Sequence, residues 1–232
     1  MKLEIDKVYN CDCLELMRAM KEQKIKADCL LTDIPYGEVN RPNNGLYDFD
    51  KGNADVVTFD LQEYLEVAYE VVKGVYIIFC GTEQVSQIRK FFVDKGCTTR
   101  LLIWEKTNPS PMNGEHIYLS GLECAVYAKR GGGTFNAHCK NTVFRYPCGT
   151  TEYHKTQKPL PLWYELLRDN TDEGQLVLDT CMGSFTTAIA CHKTQRHFIG
   201  AELDKENFDI GYERYNIVAS QMSIFDLIDG TN

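Results

Sequence analysis

The sequence predicts a doubly wound α/β fold, a mostly parallel sheet covered by helices on both faces, in one domain spanning residues 1–232. Three observations lead there. Short apolar runs alternate along the chain with stretches of helical spacing. Several runs, among them Cys29-Leu30-Leu31 and Val75 to Cys80, are apolar without alternation, as strands buried on both faces are. Hydrophobic residues make up 44% of the chain and aromatics 11%, enough for a sizeable core, and no linker or repeat divides it in two.

Taken in order, Lys7 to Asn10 is a short strand candidate, and a helix follows with Leu14, Met17 and Met20 on one side. Ala27 to Thr32 is the next strand. Gly37 to Thr58 is rich in Gly, Asn and Asp without periodicity, a length that marks a functional or disordered loop. Asp60, with Glu63 three residues on, opens a helix that carries Leu61, Tyr64, Leu65, Ala68 and Val72. Val75 to Cys80 is a buried strand. Thr82 is placed to cap a helix bearing Val85, Ile88 and Phe92, which Gly96 ends. Arg100 to Trp104 and Leu122 to Ala128 read as strands, Pro161 to Arg168 as a helix, and Leu176 to Leu178 as a strand. Ser184 to Lys193 is helical and His197 to Leu203 extended. Asp204 caps a last helix with Phe208, Tyr212, Tyr215 and Ala219 inward.

No apolar run approaches the roughly 18 residues of a membrane span, and the N-terminus lacks the apolar core of a signal peptide. The ten cysteines are scattered and form no Cys-x-x-Cys pair, so they read as reduced thiols of a cytosolic protein. A net charge of −8 does not by itself suggest a nucleic-acid binder, but its distribution matters more.

Two segments carry chemistry. In Thr32-Asp33-Ile34-Pro35-Tyr36-Gly37 a buried strand ends in an acid, a proline and an aromatic. Open α/β sheets bind ligands at that edge, and a carboxylate beside an aromatic face suits a flat polar ring. Leu176 to Thr187 is a strand, a turn containing Gly183, and a helix start, whose free N–H groups suit a ligand. Glu202 ends the next strand, 23 residues after Asp179, near the offset at which Rossmann-type sites place a ribose-binding acid. A nucleoside-bearing cofactor follows from the pair.

These residues resemble those of DNA amino-methyltransferases. Asp33-Ile34-Pro35-Tyr36 is similar to the Asp-Pro-Pro-Tyr signature of the adenine-N6 enzymes, and Asp179 to Thr187 to their Asp-Pro-Phe-x-Gly-Ser-Gly-Thr-Thr cofactor loop. His154 to Pro159 resembles their His-Pro-Thr-Gln-Lys-Pro segment, Phe198 to Glu202 their ribose-binding strand, and Asn10 to Leu14 a Gly-Asp-Cys-Leu segment near the cofactor adenine. The catalytic segment precedes the cofactor loop, as in the circularly permuted group called beta. The resemblance covers nearly the whole chain and implies a Rossmann-like, permuted seven-stranded sheet with a small inserted target-recognition segment at 107–155. Ile34 departs from a proline, Phe185 from a glycine, and Thr180-Cys181 from Pro-Phe. Position 34 is then expected to contribute a carbonyl rather than a ring. Phe185 costs the turn its glycine freedom, and its ring is expected to narrow or reshape the cofactor pocket without abolishing binding.

The resemblance implies S-adenosylmethionine as donor, no metal, and double-stranded DNA as substrate. Asp33 and the Ile34 carbonyl would accept the amine hydrogens of a flipped adenine, Pro35 would bias Ile34 to an extended conformation, and Tyr36 would stack on the base. Asp12, Cys13, Thr156, Gln157, Lys158, Pro159, Asp179, Gly183, Ser184, Thr186, Thr187 and Glu202 would hold the donor. Asp12 reads equally as a helix cap, and Thr156 to Pro159 as a proline-introduced helix start. Cytosine-N4 methylation, RNA or protein substrates, and a non-catalytic DNA-binding relative are the alternatives, with Asp rather than Ser at position 33 favouring adenine.

From Lys129 to Lys158 there are six basic residues and one acid, Glu152, with Phe135, Phe144, Tyr146 and Tyr153 interleaved. Basic groups contact phosphate and aromatics stack on or wedge bases, so Lys129, Arg130, Lys140 and Arg145 are candidate DNA contacts, with Arg41 of the long loop. His138, Cys139, Cys148 and His154 match no zinc spacing. A monomer or homodimer in the cytoplasm of a bacterial or phage-infected cell is expected, with no membrane association.

Overall fold

A computed structural model describes residues 1–36, 59–111, 114–149 and 157–229. Its strands are β1 (Lys7–Asn10), β2 (Ala27–Asp33), β3 (Val72–Cys80), β4 (Thr98–Lys106), β5 (Leu122–Lys129), β6 (Val143–Tyr146), β7 (Leu176–Asp179) and β8 (His197–Glu202). Its helices are α1 (Cys13–Glu22), α2 (Leu61–Val71), α3 (Val85–Asp94), α4 (Leu160–Asn170), α5 (Thr186–Lys193) and α6 (Lys205–Asp229). The strands form one sheet in the order β1-β8-β7-β2-β3-β5-β4-β6. Every neighbouring pair is parallel except those made by β5, which runs antiparallel between β3 and β4.

The sheet is covered on both faces because its central strands are apolar on both. Leu30 of β2 points to the layer of α1, α2 and α3, where Met17, Met20, Leu65, Val71, Ile88 and Phe92 pack. Its neighbours Cys29 and Leu31 point the other way, to Leu162, Trp163, Leu166, Ala188 and Cys191 of α4 and α5. At roughly 25 cal/mol per Å² of apolar surface, burial on both faces is the main stabilising contribution to such a layered core.

Local chemistry sets the boundaries. The Asp12 carboxylate accepts from the N–H groups of Leu14 and Glu15 at 2.8 and 3.4 Å and starts α1. Asp60 accepts from Glu63 N–H at 2.8 Å and starts α2, and Asp204 accepts from Asn207 N–H at 2.9 Å at the head of α6.

Four expectations are corrected. Val72 does not continue a helix face: its backbone is already extended, as a β-branched residue prefers, and β3 begins there. Thr82 is not the cap of α3. That helix starts at Val85, and the side chain of Gln84 instead accepts from Gly81 N–H at 2.8 Å. Tyr212 is half exposed rather than inward, because α6 lies on the surface with one stripe, Phe208 and Tyr215, against the core. The sheet has eight strands, not seven: β6 adds an edge beside β4, its Phe144 buried. Four residues are too few to show a period. The 37–58 loop, Arg41 included, lies outside the described residues, as do Tyr153, His154 and Thr156.

Candidate active site

The carboxyl ends of β7, β8, β1, β2 and β3 meet at one edge, and β5, running the other way, brings its first residues there. A cavity of about 960 Å³ opens at this mouth, lined at one end by Asp12, Asp179, Gly183 and Glu202 and at the other by Asp33, Tyr36, Glu123 and Lys158.

Asp33 closes β2. Its Oδ1 accepts from the Tyr36 hydroxyl at 2.7 Å and its Oδ2 from Lys158 Nζ at 2.5 Å. Burial raises the Asp33 carboxyl above its ordinary value, the Lys158 ammonium opposing this and Glu123 adding to it. Burial alone would lower Lys158, but Asp33 and Glu123 outweigh it and its ammonium is held firmly charged. The Lys158 Nζ also sits 5.5 Å from the centre of the Tyr36 ring. Ile34 is buried, its N–H donating to the Phe79 carbonyl at 3.1 Å, so β2 and β3 stay paired up to the point where the chain turns out. Gln84 Nε2 donates to the Pro35 carbonyl at 3.1 Å and ties the turn to the head of α3.

At the other end, Asp179 closes β7 and is buried. It accepts from the Thr187 hydroxyl at 2.5 Å and from Cys181 N–H at 3.1 Å, and Thr187 in turn accepts from Trp163 Nε1 at 2.7 Å. Burial pushes the Asp179 carboxyl up to about 6 against those hydrogen bonds. Glu202 closes β8. One oxygen accepts from Gly183 N–H at 2.7 Å and the other from Asp204 N–H at 3.0 Å. Burial raises this carboxyl too, the same N–H groups opposing it. Each oxygen retains a lone pair that can take a ligand hydroxyl. Gly183, with φ 49°, has nothing within 4 Å of where a Cβ would stand. Ser184 and Thr186 are latched by Arg214 of α6, which donates to the Ser184 carbonyl at 2.6 Å and to the two hydroxyls at 3.2 and 3.3 Å.

Phe185 does not narrow the cavity. It is fully buried on the far side of the loop, edge-on to Phe208 with ring centres 5.7 Å apart, and its backbone holds the left-handed conformation (φ 61°).

The structure thus brings Asp33, Ile34, Pro35, Tyr36, Asp12, Cys13, Gln157, Lys158, Asp179, Gly183, Ser184, Thr186, Thr187 and Glu202 to one region, and Pro159 to the adjoining cap of α4. Lys158 stands with Asp33 rather than with the cofactor loop. The basic segment is dispersed. Lys129 and Arg130 follow β5 to the opposite edge of the sheet, where the Arg130 guanidinium donates to the Tyr69 and Val72 carbonyls at 3.0 and 2.8 Å and stacks on Tyr69. Lys140 is paired with Glu165 and Asp169 of α4 at 2.7 and 2.5 Å, and Arg145 with Glu105 at 3.0 Å. Sequence spacing missed Glu123, Lys106, Thr180 and Arg214. Their partners lie on other strands or helices, so no local pattern marks them. Among the described residues no group of three potential ligands is placed to hold a metal ion, and no helix is long and apolar enough to cross a membrane.

An acid-lined cleft at the carboxyl ends of a mostly parallel sheet, with a carboxylate–aromatic corner at one end and a loop-and-helix cradle at the other, is the form of a nucleoside-cofactor site in an α/β enzyme. The chain matches, over residues 27–213, the family described as DNA methylase (N6_N4_Mtase), and it belongs to that family. It is 25% identical to the type II methyltransferase M2.MboI of Moraxella bovis, over 90% of this chain and 87% of that protein. Identity to M2.DpnII of Streptococcus pneumoniae is 22%, over 89% and 88%. The crystal structure of the M1.HpyAVI–SAM complex superposes with a TM-score of 0.72 at 28% identity, covering 90% of this chain and 98% of that one. The cytosine-N4-specific PvuII DNA methyltransferase shares the fold, with a TM-score of 0.66 at 16% identity, covering 90% and 86%. The protein is a DNA methyltransferase using S-adenosylmethionine, and the cleft fits that donor: Asp12, Asp179 and Glu202 line one end of it, and Glu202 has acceptor capacity for hydroxyls.

Proposed function

We propose that this chain methylates adenine N6 in double-stranded DNA, at a specific sequence and on a base turned out of the helix. The observation that carries the reading is the Asp33 carboxylate, held at the cavity mouth beside Tyr36 and within one cleft with Asp179 and Glu202. The donor supplies an electrophilic methyl on a sulfonium: as the nitrogen–carbon bond forms the carbon–sulfur bond breaks, S-adenosylhomocysteine leaves, and one amine proton is released. An exocyclic amine is a poor nucleophile because its lone pair is delocalised into the ring. Asp33 accepts one amine hydrogen and the Ile34 carbonyl the other, which turns the lone pair out of the ring and stabilises the charge that grows on nitrogen. Tyr36 stacks on the ring, and Pro35 fixes the turn that presents both acceptors. Orientation supplies much of the rate.

Glu202 binds the ribose hydroxyls, Asp12 and Cys13 border the adenine, and Asp179 with Gly183, Ser184, Thr186 and Thr187 cradles the methionine part, with Gln157 and Pro159 beside it. An aspartate rather than a serine at position 33 favours adenine over cytosine. The order of the segments, Asp33 before Asp179 in the chain, supports the permuted beta grouping. DNA recognition falls to the mouth-facing parts of 107–155. The type II methyltransferase relatives support a restriction–modification role in the cytoplasm. Labelled methyl transfer to mixed-sequence DNA, followed by nucleoside analysis, tests the reading. Label in N6-methyladenine is expected, and label in methylcytosine alone overturns it.

A further inference from the structure

Glu123 is a carboxylate on the cavity wall that the reaction as described does not use. It lies near the start of β5, its side chain 18% exposed, and its two oxygens are divided between two cations. Oε1 meets Lys106 Nζ at 2.8 Å and Oε2 meets Lys158 Nζ at 2.8 Å. Lys158, its side chain 9% exposed, completes the row with Asp33 Oδ2 at 2.5 Å. Charges therefore alternate from the edge of the site inward: Lys106 of β4, Glu123 of β5, Lys158 before α4, Asp33 of β2.

We propose that Glu123 is a positioning residue for methyl transfer: by anchoring Lys158 it fixes the Asp33 carboxylate toward the amine, and Lys158 serves the base end of the cleft rather than the donor. An ammonium on a four-carbon stem has little direction of its own. Two carboxylates at 2.5 and 2.8 Å fix its position, and its third N–H is directed to the Tyr36 hydroxyl at 3.4 Å. Because β5 runs antiparallel, Glu123 arrives at the mouth paired with Trp104 of β4 and next to Cys124, where the strand is paired on both sides, the rigid support such a residue needs. Tyr36 is held by the same row, its hydroxyl 2.7 Å from Asp33 and 3.4 Å from both Lys158 Nζ and Glu123 Oε2.

The charges around Asp33 give the proposal a signature. Facing it are Lys158, Glu123 and Tyr36, with Asp179 of β7 and Cys80 of β3 beyond. The ionised Asp33 carboxylate is the stronger acceptor of an amine hydrogen and offsets the charge that grows on nitrogen, so transfer rises with pH through its titration. Lys158 favours the ionised form and Glu123 disfavours it. Removing each charge therefore moves the acid limb in opposite directions.

The test is single-turnover methyl transfer against pH for the intact protein, Glu123→Gln and Lys158→Met, with calorimetric titration of S-adenosylmethionine, thermal melting and nucleoside analysis of the product. Glu123→Gln is expected to slow transfer by about 10²-fold through misplacement of Asp33, to move the acid limb to lower pH, and to leave donor affinity unchanged. Lys158→Met moves the limb to higher pH. Should Lys158→Met fail to fold, the isosteric Glu123→Gln still decides. An unmoved limb in Glu123→Gln, or weakened donor binding in place of slowed transfer, overturns the proposal. It rests on the reading that Asp33 receives the amine. Label on cytosine with these same shifts would sink the adenine assignment and keep Glu123, whereas label on adenine with an unmoved limb would do the reverse.

Discussion

Phe185 and Gly211 are complementary across the α5–α6 contact: a Cβ on Gly211 would stand 2.3 Å from Phe185 Cδ1. The ring therefore uses a gap in α6 that a side chain at position 211 would close. Gly211→Ala is expected to destabilise the protein by about 1–3 kcal/mol through overpacking. Phe185→Gly gains about 1 kcal/mol from the relaxed left-handed backbone but loses about 3–5 kcal/mol of aromatic packing. In the double variant the clash is gone, so urea denaturation should show a loss smaller than the sum of the two. Strict additivity would contradict the contact.

Asp33→Ala removes an acceptor and leaves the donor end of the cleft as it is. Transfer should fall to background while calorimetric donor affinity stays largely intact. Near-normal activity in that variant would remove the mechanism proposed for the amine.

Asp179 ties stability to pH. Its carboxyl titrates at about 6 when folded, against an ordinary value of 3.8, so the folded state holds a proton that the unfolded chain releases. That contribution is fully present below about pH 4 and is lost as pH rises through about 6, a change of roughly 3 kcal/mol for a shift of about two units. Asp179→Asn lacks this titration. Denaturation at pH 4, 5 and 7 should show the variant gaining on the natural protein as pH increases. A constant difference across that range would argue that Asp179 titrates normally.

Arg130 gives a contrast with a phosphate contact. Arg130→Ala should cost about 1–3 kcal/mol of stability, because it frees the carbonyls of Tyr69 and Val72 at the base of β3. The slope of log affinity for DNA against log salt should not change, whereas loss of a phosphate contact would reduce it by about 1.

Much of this was legible in the chain. Cys29 to Leu31 and Val75 to Cys80 announced central strands because burial on both faces forbids polar alternation. Asp33, Asp179 and Glu202 were legible because each ends such a run, and strand ends form the ligand edge. What stayed hidden depended on contacts distant in sequence. Glu123 looked like one residue of a strand, and its meaning lies with Lys106 and Lys158. Phe185 looked like an obstruction because the glycine that receives it is on another helix. Arg130 looked like a DNA contact because charge is visible in a sequence while the carbonyls that satisfy it are not.

The reversed course of β5 also divides the molecule's freedom to vary. Residues preceding it, with Ser120 and Leu122 on the cavity wall, emerge on the substrate side; those that follow, from Arg130 to Asn141, emerge behind the sheet. Insertions or exchanges before Leu122 fall on the cavity side, while equivalent changes between Arg130 and Asn141 fall behind the sheet, before the chain returns to the cavity wall at Cys148 and Gly149. One inverted strand thus separates the loop that varies against the cavity from the loop that braces the back of the sheet.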